Sequence, residues 1–164
     1  MSDLFLETAA QLDLVRSLGK YEIELGILQN NQFLTVAVKH AGGEKTEYRV
    51  SVEDIAYVIE YGTVQMPGTH ILQYLDYWLD IQLTQRLNKI LDGIFEREWT
   101  EDDIRIEMSN FEIAANNFIQ SYISAQIKEM TFLADKMGQK GLVDFPVDVS
   151  VLRSYIRCRI SKKV

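Results

Sequence analysis

The residues able to do chemistry in this chain are few and scattered. Its 164 residues hold two histidines, His40 and His70, and one cysteine, Cys158. Neither histidine has a cysteine or an acid at ligand spacing, and a metal site built from nitrogen and sulfur ligands needs several such groups close together. His40 falls on a strand and His70 at a helix start, and each reads as an exposed or packed side chain. A lone cysteine allows no intramolecular disulfide and suits a reducing compartment. Acids are denser: Glu96, Glu98, Glu101, Asp102 and Asp103 form a run that a divalent cation would favour. The same run separates two helical patterns, where acids stay solvated and complement a helix N-terminus, and that is the better reading. Glu60 ends an apolar helix. A catalytic acid wants a titratable partner and none is evident, so Glu60 reads as a structural or inter-subunit hydrogen-bonding group. No nucleophile elbow, phosphate loop or dinucleotide fingerprint occurs, and Gly42-Gly43 is only a two-glycine turn. Neither catalysis nor a metal or cofactor is expected.

Charge narrows the partners. The net charge is −7 and the pI about 4.9, against a binder of nucleic acid held by a broadly basic surface. The balance is uneven, with 8 Lys+Arg against 15 Asp+Glu up to residue 100 and 9 against 9 beyond it. Arg153, Arg157, Arg159, Lys162 and Lys163 make a basic terminus without an acid among them. Read as a strand over 152–162, it separates Leu152, Ile156, Cys158 and Ile160 from Arg153, Tyr155, Arg157, Arg159 and Lys163 by parity. Such a basic face meets DNA phosphates, the acidic surface of a neighbouring copy, or only solvent. An acidic chain would meet DNA only if assembly gathered these faces around a lumen. The N-terminus is acidic without a signal-peptide pattern, and no apolar run approaches the ~18 residues of a membrane span. The expectation is a protein made in the cytoplasm, with no membrane partner.

The elements follow from periodicity. Leu4, Leu6, Ala9, Leu12, Leu14, Val15 and Leu18 predict a helix over 3–18, stopped by Gly19. Alternation then takes over in Tyr21–Leu28, and again in Phe33–Ala41 and Thr46–Val50, with turns at 29–32 and 42–45. Residues 20–50 therefore read as a small antiparallel meander, which the C-terminal strand could join. Ser51 is placed to cap a short apolar helix over 52–61, which Gly62 ends in a left-handed conformation. Leu72, Leu75, Leu79, Leu83, Leu87, Ile90 and Ile94 predict a long helix over about 70–97. Ile104, Met108, Phe111, Ala115, Phe118, Tyr122 and Met130 predict a second over 101–136, with Thr100 and Asp103 in a short form of the capping box. Two such helices joined by a short loop pair antiparallel. The fold class is α+β in a single domain: a small antiparallel sheet packed with a long antiparallel helix pair and a short helix.

The least generic stretch is Ile55–Leu72, which joins the strands to the helix pair. It resembles the tail-completion (neck, or head–tail joining) proteins of long-tailed bacteriophages. In that family an apolar helix reads Ile-Ala-x-x-x-Glu-[Phe/Tyr]-Gly-Thr, followed by [Ile/Met]-Pro and then Arg-Pro-Phe-Leu. Here Ile55-Ala56, Glu60-Tyr61-Gly62-Thr63, Met66-Pro67 and Leu72 fit, while Thr69-His70-Ile71 replaces Arg-Pro-Phe. The strand step Glu24–Leu28, the helical run Ala114–Ile123 and the segment Val147–Arg153 keep the family's serial order. The last of these has the Asp-to-Leu-Arg spacing without the family's Thr-Gly.

The resemblance covers about residues 20–160. It implies a virion structural protein of the neck, assembled in the host cytoplasm as a ring, commonly hexameric, around the DNA path. Its partners would be further copies of itself and the phage connector or tail-tube proteins. Glu60, Tyr61, Gly62, Thr63 and Pro67 then read as a hinge and subunit contact, and Arg153, Arg157 and Arg159 as facing the lumen or a neighbour. The alternative is a helical-hairpin adaptor that binds one protein partner and never enters a particle.

Overall fold

The apolar stripes become helices with nearly the expected limits. The structure, a computed structural model, describes residues 2–28, 31–39, 42–63, 66–136 and 152–163. Helix α1 spans Ser2–Leu18, α2 Val52–Tyr61, α3 Ile71–Glu96 and α4 Glu101–Lys136. The strands are β1 (Tyr21–Ile27), β2 (Phe33–Lys39), β3 (Lys45–Ser51), the two-residue β4 (Gly62–Thr63) and β5 (Met66–Pro67), and β6 (Ile156–Lys162). The class is α+β, with α3 and α4 packed together. No described helix is long and apolar enough to cross a membrane. His40 and the stretch 137–151, which holds Val147 and Asp148 of the C-terminal motif, lie outside the described residues.

Two details differ from the sequence reading. β2 and β3 form the expected hairpin, in register from Phe33↔Ser51 to Lys39↔Lys45. β1 belongs to a different ladder and pairs with β6, so residues 20–50 are not one three-stranded meander. Acids of β1 meet bases across this ladder: Lys163, just beyond β6, lies 3.2 Å from Glu22, and Arg159 of β6 lies 3.6 Å from Glu24. Those pairings run in opposite chain directions, so the two strands are antiparallel. The second difference is at the C-terminal segment. Leu152–Tyr155 form a helical turn, α5, and the strand begins at Ile156. Arg157 stabilises that turn by donating from Nη1 to the carbonyl oxygens of Arg153 (2.7 Å) and Ile156 (3.0 Å). The apolar alternation holds from Ile156 onward, with Ile156 and Cys158 buried.

By its contacts the chain divides into two compact units. The first comprises Met1–Glu24, Asp76–Asn116 and Cys158–Val164. Its core is Ile90 and Ile94 of α3 against Ile104 and Met108 of α4, ringed by Leu14, Val15, Leu18, Tyr21, Trp99 and Ile160. Burying each such aliphatic side chain stabilises the fold by about 1.5–3 kcal/mol. The turn into α4 is the predicted capping box. The Thr100 N–H donates to Asp103 Oδ2 (2.8 Å), and the Asp103 N–H donates back to Thr100 Oγ1 (3.4 Å). Hydrogen bonds from the Thr100 backbone and hydroxyl hold the Asp103 pKa below its ordinary value.

The second unit comprises Leu25–Leu75 and Asn117–Arg157. It contains the β2–β3 hairpin, α2 and the first turn of α3. Ser51 caps α2 by accepting from the Asp54 N–H (3.0 Å), and the Val52 N–H donates to the Gln32 carbonyl (2.9 Å), tying helix to hairpin. Val52, Ile55, Ala56, Ile59, Ile71, Leu75, Ile119, Ile123 and Ile156 are buried here.

Candidate functional site

The junction between α2 and α3 is built around one carboxylate. A helix start leaves its first N–H groups without intrahelical acceptors. Here Glu60, in the last turn of α2, supplies two of them: Leu72 N–H donates to Oε2 (2.7 Å) and Gln73 N–H to Oε1 (3.0 Å). A negative charge at that helix end is favoured by the dipole as well. Glu60 is only 4% exposed, and these two amides bond its carboxyl oxygens in place of water. The family-like glutamate thus bonds within its own chain.

The rest of the motif brings the backbone into place. Gly62 ends α2 as expected, its N–H donating to the Val58 carbonyl. Its φ of 79° is positive, but its ψ of −169° puts it outside the left-handed helical region, in a conformation essentially reserved for glycine. β4 and β5 pair through Gly62↔Pro67 and Thr63↔Met66, which places Thr63 and Pro67 in one small clamp. Gly68 then crosses the end of α2, where a Cβ would stand 2.3 Å from the Glu60 carbonyl oxygen. Thr69 donates both its N–H and its hydroxyl to the Ile59 carbonyl at 2.8 Å, and the His70 N–H reaches the Glu60 carbonyl at 3.2 Å. His70 is exposed, with φ 53°, and its carbonyl accepts from the Tyr74 N–H at the start of α3. Beneath the junction, Ala56, Ile59, Glu60, Ile71, Leu72, Ile123 and Ile156 enclose a void of about 10 Å³, barely the size of one water.

What the junction shows to solvent is aromatic. Tyr57 and Tyr61 are exposed on one side of α2 with ring centroids 4.7 Å apart, Val58 is exposed beside them, and Glu53 and Asp54 are exposed in the first turn. In the same unit Tyr74 stacks on Tyr122 at 4.5 Å, and Tyr122 on Phe118 at 5.9 Å.

The C-terminal bases are engaged. Arg153 donates to Ser124 Oγ (3.1 Å) from the turn α5, not from a strand, and Arg157 folds back on that turn. Arg159 and Lys163 face Glu24 and Glu22, and Lys162 bonds Glu101 and lies 5.6 Å over the Tyr21 ring. The hydrogen bond between them lowers the pKa of Glu101 and raises that of Lys162. The acidic run is distributed likewise: Glu101 to Lys162, Asp102 to Arg105 (2.9 Å), and Asp103 to the capping box. Among the described residues no three acids, histidines or cysteines converge as metal ligands. Burial raises the Cys158 pKa to about 11, with a contribution from Glu112, so its thiol stays protonated.

Two polar groups escaped the sequence reading. Glu107 is buried and accepts from both Arg86 and Lys89 of α3, the latter at 2.8 Å. Burial alone would raise its pKa; the hydrogen bonds from Lys89 and Arg86 outweigh that and hold it below its ordinary value. The available signal was register: Arg86, seven positions after Leu79 and four before Ile90, lies on the buried stripe. The other is Asn116, whose side chain imitates a strand. Its Oδ1 accepts from the Cys158 N–H (3.0 Å) and its Nδ2 donates to the Cys158 carbonyl (2.8 Å). Glu112 Oε2 accepts from the Ile160 N–H (2.8 Å), so two side chains of α4 occupy hydrogen-bonding positions along β6. Nothing in the sequence marks an asparagine for that task.

Scans of the chain against protein-family models, characterised proteins and solved structures find no match.

Proposed function

We propose that the chain is a structural subunit of a bacteriophage neck: a tail-completion or head–tail joining protein that assembles as a ring around the DNA path and performs no catalysis. The observation that carries this reading is the use made of Glu60. Its carboxylate is committed to the first amides of α3, so the motif holds a rigid corner and leaves Tyr57, Val58 and Tyr61 facing outward. Aromatic side chains on a rigid support suit protein contact, since large apolar area is buried there at little entropic cost. The serial order of the motifs and the α+β class support the same reading. Arg153, Arg157 and Arg159 then act first as internal partners, and reach the lumen or a neighbouring subunit only in the assembled ring.

The test is light scattering and negative-stain imaging of the purified protein, alone and mixed with tail tubes or connectors. Rings, or density at one end of the tube, are expected. A species that stays monomeric under all three conditions sinks the reading. It would favour the helical-hairpin adaptor, to which the exposed Tyr77, Ile81 and Phe95 of α3 also lend support.

A further inference from the structure

We propose that the outward face of α3 between Tyr77 and Phe95 is a docking site for a basic amphipathic helix of a partner protein. Tyr77, Ile81, Thr84, Asn88, Leu91 and Phe95 follow one another at steps of 4, 3, 4, 3 and 4. That is the spacing of one side of a two-helix seam, about 27 Å long at 1.5 Å per residue. The core side of the same helix is the stripe Leu75, Leu79, Ile90 and Ile94. A surface helix ordinarily carries one apolar stripe; this one carries a second, which stays exposed among the described residues. Tyr77 is 66% exposed, Phe95 51% and Ile81 37%, Thr84 and Asn88 are exposed, and only Leu91 is half-buried.

Charge identifies the occupant. α3 carries four acids, Asp76, Asp80, Asp92 and Glu96, all exposed, and two bases, Arg86 and Lys89. Both bases are drawn onto Glu107 of α4. The outward face therefore presents acids alone, and Asp80 and Asp92 occupy the positions flanking the seam, where paired helices place complementary charges. A helix with lysine or arginine beside its own apolar seam fits. A second copy of this chain fits poorly: it offers acids and no base at its own flanking positions, and both chains would carry a net charge of −7. Asn88 at mid-seam sets the register, as a single polar residue does in paired helices. The site does not depend on ring formation, because the face belongs to one helix of the free chain.

The experiment uses the full chain and two designed four-heptad peptides with the same leucine seam and an asparagine to oppose Asn88. One has lysine at the flanking positions, the other glutamate. Fluorescence anisotropy is expected to show binding of the lysine-flanked peptide, weakened about tenfold or more with the glutamate-flanked one and by raised salt. The exposed variant Ile81→Glu, with circular dichroism confirming its helix content, is expected to lose binding. Asp80→Lys combined with Asp92→Lys is expected to reverse the preference toward the glutamate-flanked peptide, which a merely weakened protein would not do. Equal binding of the two peptides, no binding of either, or binding unchanged in Ile81→Glu overturns the proposal. So does a homodimer of the free chain, seen by sedimentation and abolished in Ile81→Glu, since a second copy would then own the face.

Discussion

Glu60 and Glu107 are both buried carboxylates, yet they are satisfied by different chemistry, and the difference fixes how each responds to change. Glu60 is held by two backbone amides, which no substitution at Leu72 or Gln73 short of proline removes. Glu60→Ala leaves both amides at the head of α3 without an acceptor and should cost about 2–3 kcal/mol, whereas Glu60→Gln, keeping one acceptor, should cost about 1 kcal/mol, both read from urea unfolding. Gly68→Ala should be at least as harmful, because its Cβ meets backbone atoms of Glu60 and Tyr61 that cannot rotate away. Glu107 is held by side chains, Arg86 and Lys89, and its pKa is lowered in the fold. A carboxylate with a lowered folded pKa stabilises the fold above its ordinary unfolded value, and that contribution disappears as pH falls through the folded one. Glu107→Gln should therefore unfold more easily than the wild type at neutral pH, by about 1–3 kcal/mol. The gap should narrow steadily on acidification through and below the ordinary carboxylate range. A gap independent of pH would mean that the glutamate contributes shape and not charge.

Among the elements, those with a strong local signal were legible in advance. The limits of α2, α3 and α4 follow from Ser51, Gly62, Thr100 and stripes at steps of 3 and 4, because caps and periodicity are local in sequence. Strand pairing is not local, so alternation alone favours β1 beside β2, whereas β1 pairs with β6. The acids of β1 and bases of β6 were both visible, but their separation by more than a hundred residues concealed the match. The stop of α2 was legible from Gly62. The atoms that satisfy Glu60 were not, since they are backbone amides that any residue but proline could supply. Nor was the latch between α4 and β6, which depends on Asn116 facing a strand 42 positions later. Asn116→Ala should leave the Cys158 N–H and carbonyl without those partners, at a cost of about 2 kcal/mol. Hydrogen exchange checks it directly: the Cys158 amide should lose protection well ahead of the β2–β3 hairpin. Equal effects on both would mean that Asn116 acts through global stability and not on β6.

For the molecule as a whole, the question is what its charge allows it to meet. Binding to duplex DNA is driven by release of counterions when cations neutralise phosphates, so it needs bases free to leave their present partners. This chain carries −7 overall, and Arg159, Lys162 and Lys163 already face Glu24, Glu101 and Glu22. Exposed ion pairs of this kind are individually weak, so phosphates could displace the acids, but only where assembly concentrates several such faces and lowers the cost of bringing acids near DNA. The free chain should therefore show no binding to a labelled duplex at about 150 mM salt, by anisotropy, with at most a weak and steeply salt-dependent signal at low ionic strength. Replacing Glu22 and Glu24 by glutamine removes the internal competitors for Arg159 and Lys163 and should strengthen the low-salt signal without shifting the unfolding midpoint much. Tight binding by the unmodified free chain at about 150 mM salt would show that the basic terminus faces outward before any assembly. The acids of β1 would then be bystanders to it.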